Sequence, residues 1–124
     1  MPTRNSGPEL KLRSCIHRLG LRFGLHATDL PGRPDLVFRA AKVAVFVDGC
    51  FWHGCPEHGI LPKNNRHWWR LKLLATRRRD RAKDRQLKVL GWLSIHVWEH
   101  EDMAVAGRRL ARAVGQRLDE RKRT

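Results

Sequence analysis

A chain of 124 residues fits one domain with a real core and is too short for two. Lys and Arg number 26 against 12 Asp and Glu, a formal net charge of +14, so the expected partner is a polyanion, nucleic acid first. No apolar run is long enough to span a bilayer, the opening MPTRNSGPE has no signal-peptide core, and three cysteines form no disulfide ladder. These features point to a reducing, cytoplasmic setting close to the nucleoid. Charge alone would also fit a solvated basic surface or a ribosome-like structural role.

In chain order, residues 1–8 form a short arm. Glu9 to Leu19 has a helical repeat, with Leu12, Ile16 and Leu19 on one stripe and Gly20 as a stop. Glu9 falls on that inward stripe, an unusual place for a carboxylate, although a helix start also favours an acid. Cys15, inside this helix, reads as a small core residue. LRFGLH (21–26) reads as a strand, LPGRP as a turn, and Asp35 to Phe38 as a short strand entered from Pro34. Lys42 to Val47 is a near-continuous apolar run, as in a central strand buried on both faces.

The loop after it, VDGCFWHGCPEHG, holds Cys50, Cys55 and His58 in a C-x4-C-x2-H spacing. Thiolates and imidazole suit tetrahedral zinc, and His100, just past a later strand, is the best fourth ligand. Four protein ligands would close the site and make it structural. His53 and Glu57 could compete for the ion, and free thiols in a polar loop are the plain alternative. The spacing predicts one long helix, or two with a break, over residues 65–90, capped by Asn64 or Asn65. Asp80 shares a face there with Trp69, Leu73 and Leu87, while Arg77, Arg78, Arg81 and Arg85 line the opposite, phosphate-suited side. That stripe would also serve as an ordinary solvated face. Gly91 ends the helix, and Trp92 to Trp98 alternates as a strand with Leu93, Ile95 and Val97 on one face. A last helix from about Asp102 to Leu118 places Val105, Leu110, Val114 and Leu118 inward, followed by a frayed basic tail at 119–124. The whole is an α/β fold, a small mixed sheet flanked by helices.

Asp35 after GRP and Asp48 at the end of the next strand are placed to hold a divalent cation against a phosphodiester, since magnesium takes hard oxygen ligands. Glu9 and Asp80 could converge on the same point. A PD dipeptide by itself is equally a strand start after a turn.

LPGRPDLVF, VFVDGCFWHGCPEHG, NNRHWW, RDRAKDRQLKVLGW and VWEHE, in this order from Glu9 to Glu101, strongly resemble the very short patch repair (Vsr) DNA mismatch endonuclease family. The resemblance implies a fold like the PD-(D/E)XK, restriction endonuclease-like nucleases, with a zinc loop. It implies magnesium-dependent nicking of one strand of double-stranded DNA beside a T:G mismatch. Asp35 would be the main magnesium ligand, with the backbone carbonyl of Val47 beside it, and Glu9 would hold metal-bound water. His53 would act as acid/base near the attacking water, with Asp80 orienting it. Asp48 stands where some members have histidine. Cys50, Cys55, His58 and His100 would bind structural zinc.

In the family, aromatic side chains wedge beside the mismatch, and Phe51, Trp52 and Trp69 match those positions. A wedge must be rigid to unstack bases, and zinc ligands on either side of Phe51 and Trp52 would make it so. Core packing is the alternative for these rings, and Trp68, Trp92 and Trp98 read as core. Lys72 matches a position contacting the mismatched pair, whereas Thr76 stands where asparagine is common. The arm before Glu9 is shorter than in many members. A monomer is expected, with repair proteins as further partners. The rival readings are a zinc-stabilised DNA-binding module without catalysis and a nickase of the same fold that ignores mismatches.

Overall fold

A computed structural model describes residues 7–48 and 65–123. Its elements run α1 (Gly7–Arg18), β1 (Gly24–Leu25), β2 (Leu36–Phe38), β3 (Val43–Asp48), α2 (Arg66–Val89), β4 (Leu93–Trp98) and α3 (Met103–Arg123). The sheet order is β1-β2-β3-β4. β1, β2 and β3 pair antiparallel, while β3 and β4 are parallel and joined through α2, as a parallel crossover requires.

The parallel register, Val43↔Leu93 through Asp48↔Trp98, sorts the side chains by face. Val43, Val45 and Val97 face the helix pair α1–α3 and build the core with Leu12, Ile16, Leu36, Phe38, Met103, Ala106, Leu110 and Val114. α1 and α3 approach closely: a Cβ on Gly107 would lie 3.2 Å from the Cβ of Cys15. Cys15 is indeed partly buried and packed against the core. Phe46 and His96, partners in register, stack at 4.9 Å between ring centroids on the other face, where α2 lies. Gly32, at φ +79°, closes this side, because a Cβ there would meet Phe46 at 3.1 Å and Lys83 at 3.3 Å.

Local signals account for most boundaries. Gly20, at φ +78°, ends α1, with the Leu21 N–H donating to the Ile16 carbonyl and the Gly20 N–H to that of His17. α2 is one unbroken helix. Asn65 occupies its N-cap, yet in a left-handed conformation and with no side-chain capping bond. Asparagine serves there by tolerating φ +59° rather than by capping. Asp102 does cap α3, accepting the N–H groups of Ala104 and Val105 at 2.9 and 3.3 Å.

Five expectations need correction. The strand expected over 21–26 shrinks to Gly24–Leu25, the part that finds pairing partners. Leu19 is 46% exposed, because α1 has already ended. Val105 is 54% exposed, because the core side of α3 is set by Ala106, Leu110 and Val114. The basic tail is not frayed through 119–123: α3 stays helical to Arg123. Trp68 is 53% exposed instead of core, since the buried stripe of α2 runs through Leu73 and Leu87. No helix among the described residues is long and apolar enough to cross a membrane.

Candidate active site

Three segments bring polar groups together at the end of the sheet where the chain enters β2 beside β3. α1 supplies Glu9, which is 1% exposed although it is a carboxylate. The strand entry supplies Asp35, fixed by two bonds to β3: its N–H donates to the Val45 carbonyl at 2.9 Å, and its Oδ2 accepts the Val47 N–H at 2.8 Å. The chain leaving β1 supplies His26, whose N–H donates to the Asp35 carbonyl at 3.0 Å. One ligand atom from each of Glu9, His26 and Asp35 can be chosen so that all lie within 4.8 Å of one another. Burial is the main cause that pushes the Asp35 carboxyl up to about 6; the Val47 N–H opposes it, and nearby Glu9 raises it further. Arg13, one helical turn after Glu9, forms an ion pair with it. Crowded, half-desolvated carboxylates of this kind suit a cation with oxygen ligands.

β3 also orients Val47. The odd residues Val45 and Val47 bond toward Asp35, whereas Lys42 and Asp48 offer their carbonyls to Leu93 and Glu99 of the β4 side. N–H and C=O of one extended residue leave the same side of a strand. Val47 therefore turns its carbonyl toward the Asp35 edge.

Asp48, the next residue, belongs to a different cluster. Its Oδ2 lies 2.7 Å from Nδ1 of His96, and Nε2 of the same ring lies 2.9 Å from both oxygens of Asp84. Burial alone would lower the His96 pKa. Bonding and charge from Asp48 and Asp84 outweigh it and raise the value to about 9, so the ring is an imidazolium at neutral pH. The acidic group of Glu9, His26 and Asp35 does not include Asp48.

Asp80 is half-buried on α2, one turn before Asp84. Trp69 is half-buried and meets the exposed Trp68 edge-on, at 4.8 Å between centroids. Lys72 places its Nζ 5.1 Å from the Trp68 ring centre, and Thr76 donates its hydroxyl to the Lys72 carbonyl at 3.1 Å. Arg77, Arg78, Arg81 and Arg85 are all exposed, as a phosphate-facing stripe requires. His53, Phe51, Trp52, Cys50, Cys55 and His58 lie outside the described residues. His100 is exposed, on the turn after β4, and stacks on Trp98 at 6.4 Å. Asp48, two residues before Cys50, pairs in register with Trp98, two residues before His100.

Sequence reasoning missed three site residues: His26, His96 and Asp84. His26 carried one signal, its place just past a strand facing GRPD. His96 read as an ordinary polar position in an alternating strand.

A short mixed sheet that presents buried carboxylates at one end, joined to a strongly basic helix, defines a class: a small α/β domain with the charge to meet a polyanion. A family model described as DNA mismatch endonuclease Vsr matches residues 1–57. The type II nicking enzyme V.NaeI of Lentzea aerocolonigenes is 47% identical over 107 residues, which are 81% of this chain and 64% of that protein. The type II nicking enzyme V.XorIIP of Xanthomonas oryzae pv. oryzae is 45% identical over 101 residues, 80% of this chain and 74% of that protein. DNA mismatch endonuclease Vsr of Escherichia coli is 35% identical over 123 residues, 95% of this chain and 76% of that protein. The chain belongs to the Vsr family of DNA endonucleases, and it spans just under two thirds of the length of V.NaeI.

Proposed function

We propose that this protein nicks one strand of double-stranded DNA beside a T:G mismatch, by magnesium-dependent hydrolysis on a restriction endonuclease-like fold. The observation that carries the reading is the buried approach of Glu9 to Asp35 at the entry to β2, toward which Val47 turns its carbonyl. The donors fit the ion: Asp35 and the Val47 carbonyl would hold it, and Glu9 would bind its water. Bound magnesium would polarise the scissile phosphate and lower the pKa of water. The chain's own groups do the rest. Asp35 is locked by the Val47 N–H, which fixes its carboxylate for ligation. His53 takes and returns the proton at the attacking water, with Asp80 orienting it. The exposed arginines of α2 hold the backbone, and Lys72 reads the mismatched pair. Phe51, Trp52 and Trp69 form the wedge.

Zinc on Cys50, Cys55, His58 and His100 would anchor that wedge to the strand ends of β3 and β4. A structural site of this kind contributes on the order of 10 kcal/mol to folding. Stringent chelation is expected to unfold the domain; an unchanged Tm would remove zinc from the account.

A second reading, a nickase indifferent to mismatches, is favoured by Thr76, whose hydroxyl is bonded to its own helix. One assay separates the two. T:G, other mismatched and fully paired duplexes are incubated side by side with magnesium. Preferential nicking of the T:G duplex is expected. Equal cutting of all duplexes would select the mismatch-independent nickase, and salt-dependent binding without cleavage would select a DNA-binding module.

A further inference from the structure

His26 is held in place with unusual care. The β1–β2 register, Gly24↔Val37 and Leu25↔Leu36, continues one step to set His26 opposite Asp35, and the His26 N–H bond to the Asp35 carbonyl confirms that pairing. Cross-strand partners project on the same face. The backbone of His26 sits at φ +45°, a conformation uncommon for a residue with a side chain. Its ring then reaches the Glu9 carboxylate, with Nε2 3.3 Å from each oxygen. Nε2 is also 3.2 Å from Nη2 of Arg13. A carboxylate only accepts and a guanidinium only donates, so Nε2 bonds Glu9 when it carries the proton and Arg13 when it carries its lone pair. The same form of imidazole ligates a metal.

We propose that His26 is a third protein ligand of the cation site, so that Glu9, His26 and Asp35 present a mixed nitrogen and oxygen donor set to a divalent ion of the manganese class. This rests on the cation site proposed above and changes its chemistry. Carboxylates alone suit magnesium, whereas an added imidazole shifts preference toward first-row transition ions. Magnesium still binds, held by the oxygens.

The test uses the full chain and Mn2+ alone, read by pulsed electron paramagnetic resonance, with Mg2+ as competitor. Wild type is expected to bind an Asp35-dependent Mn2+ that shows coupling to a coordinated nitrogen, and the coupling changes when histidine is supplied as 15N. His26→Gln removes that coupling and lowers Mn2+ affinity roughly tenfold, with a smaller effect on Mg2+. His26→Asn, which tolerates the left-handed backbone, behaves the same way. His53→Gln leaves the coupling in place. Asp35-dependent Mn2+ without nitrogen coupling in wild type overturns the assignment, as does coupling that survives in His26→Asn; His26 is then an ion-pair partner of Glu9 only. Mn2+ binding indifferent to Asp35→Asn overturns the cation site itself and this inference with it.

Discussion

Val47 and Asp48 are neighbours in β3, yet they serve two acid–histidine clusters of opposite character. On the Val47 side, Glu9 and Asp35 crowd together, and His26 stands 3.3 Å from Glu9 without bridging the two acids by short bonds. On the Asp48 side, His96 lies between Asp48 and Asp84 with contacts of 2.7 and 2.9 Å. The second cluster has its cation built in, and a compensated bridge of this kind ties strands to a helix. The first pairs Glu9 with Arg13 but leaves Asp35 beside Glu9, and burial first, then Glu9, raises the Asp35 carboxyl to about 6. A buried pair of acids in which one carboxyl is pushed this far marks a place for chemistry rather than for stability.

Asp35 carries the largest expected effect. Asp35→Asn is expected to lower nicking by about a thousandfold or more, roughly 4 kcal/mol of transition-state stabilisation. A single-turnover assay on a T:G duplex measures it, and near-normal cutting would remove the cluster from catalysis. His96→Ala comes next. It leaves Asp48 and Asp84 facing each other without their cation, and a loss of about 2–3 kcal/mol in urea unfolding is expected, discounted because the ring is about a third exposed. Unchanged stability would show the bridge to be idle.

Asp35→Asn also sharpens the contrast, because its effect on stability has the opposite sign. A carboxyl with a folded pKa near 6, above its ordinary 3.8, contributes stability below pH 4 that is lost as pH rises through 6. At pH 7.5 without added metal, the variant should be more stable than wild type by roughly 1–2 kcal/mol. His96 gives a different window. Its folded pKa near 9, against 6.5 unfolded, provides stability that is complete below pH 6.5 and disappears as pH rises through 9. Thermal melts of wild type should fall between pH 6.5 and 9, and those of His96→Gln should be flatter there. The smallest effect is expected from Thr76→Asn. It frees a side chain from the Lys72 carbonyl and should shift the T:G preference by less than about tenfold.

How far the sequence could be read depends on the range of the interactions involved. The strand expected over Lys42–Val47, found one residue on at Val43–Asp48, and the helix stop at Gly20 rest on local pattern and turn chemistry, whereas the cap at Asp102 shows only in the structure. Glu9 was legible as a carboxylate on an apolar stripe, and Asp35 as the acid after GRP. Val105 and Trp68 were misread because helical spacing gives a face but not which face a neighbour covers.

Charge and local periodicity, written residue by residue, determined the basic, nucleic-acid-directed character of this protein and its α/β class, and the order of its motifs carried the resemblance to the Vsr family. Only the tertiary structure decided that His26 stands across from Asp35 and that His96 bridges Asp48 to Asp84. Those pairings depend on strand register and on a helix crossing between parallel strands. A one-residue slip in register would send each side chain to the opposite face, and nothing local in the chain encodes the partner it meets.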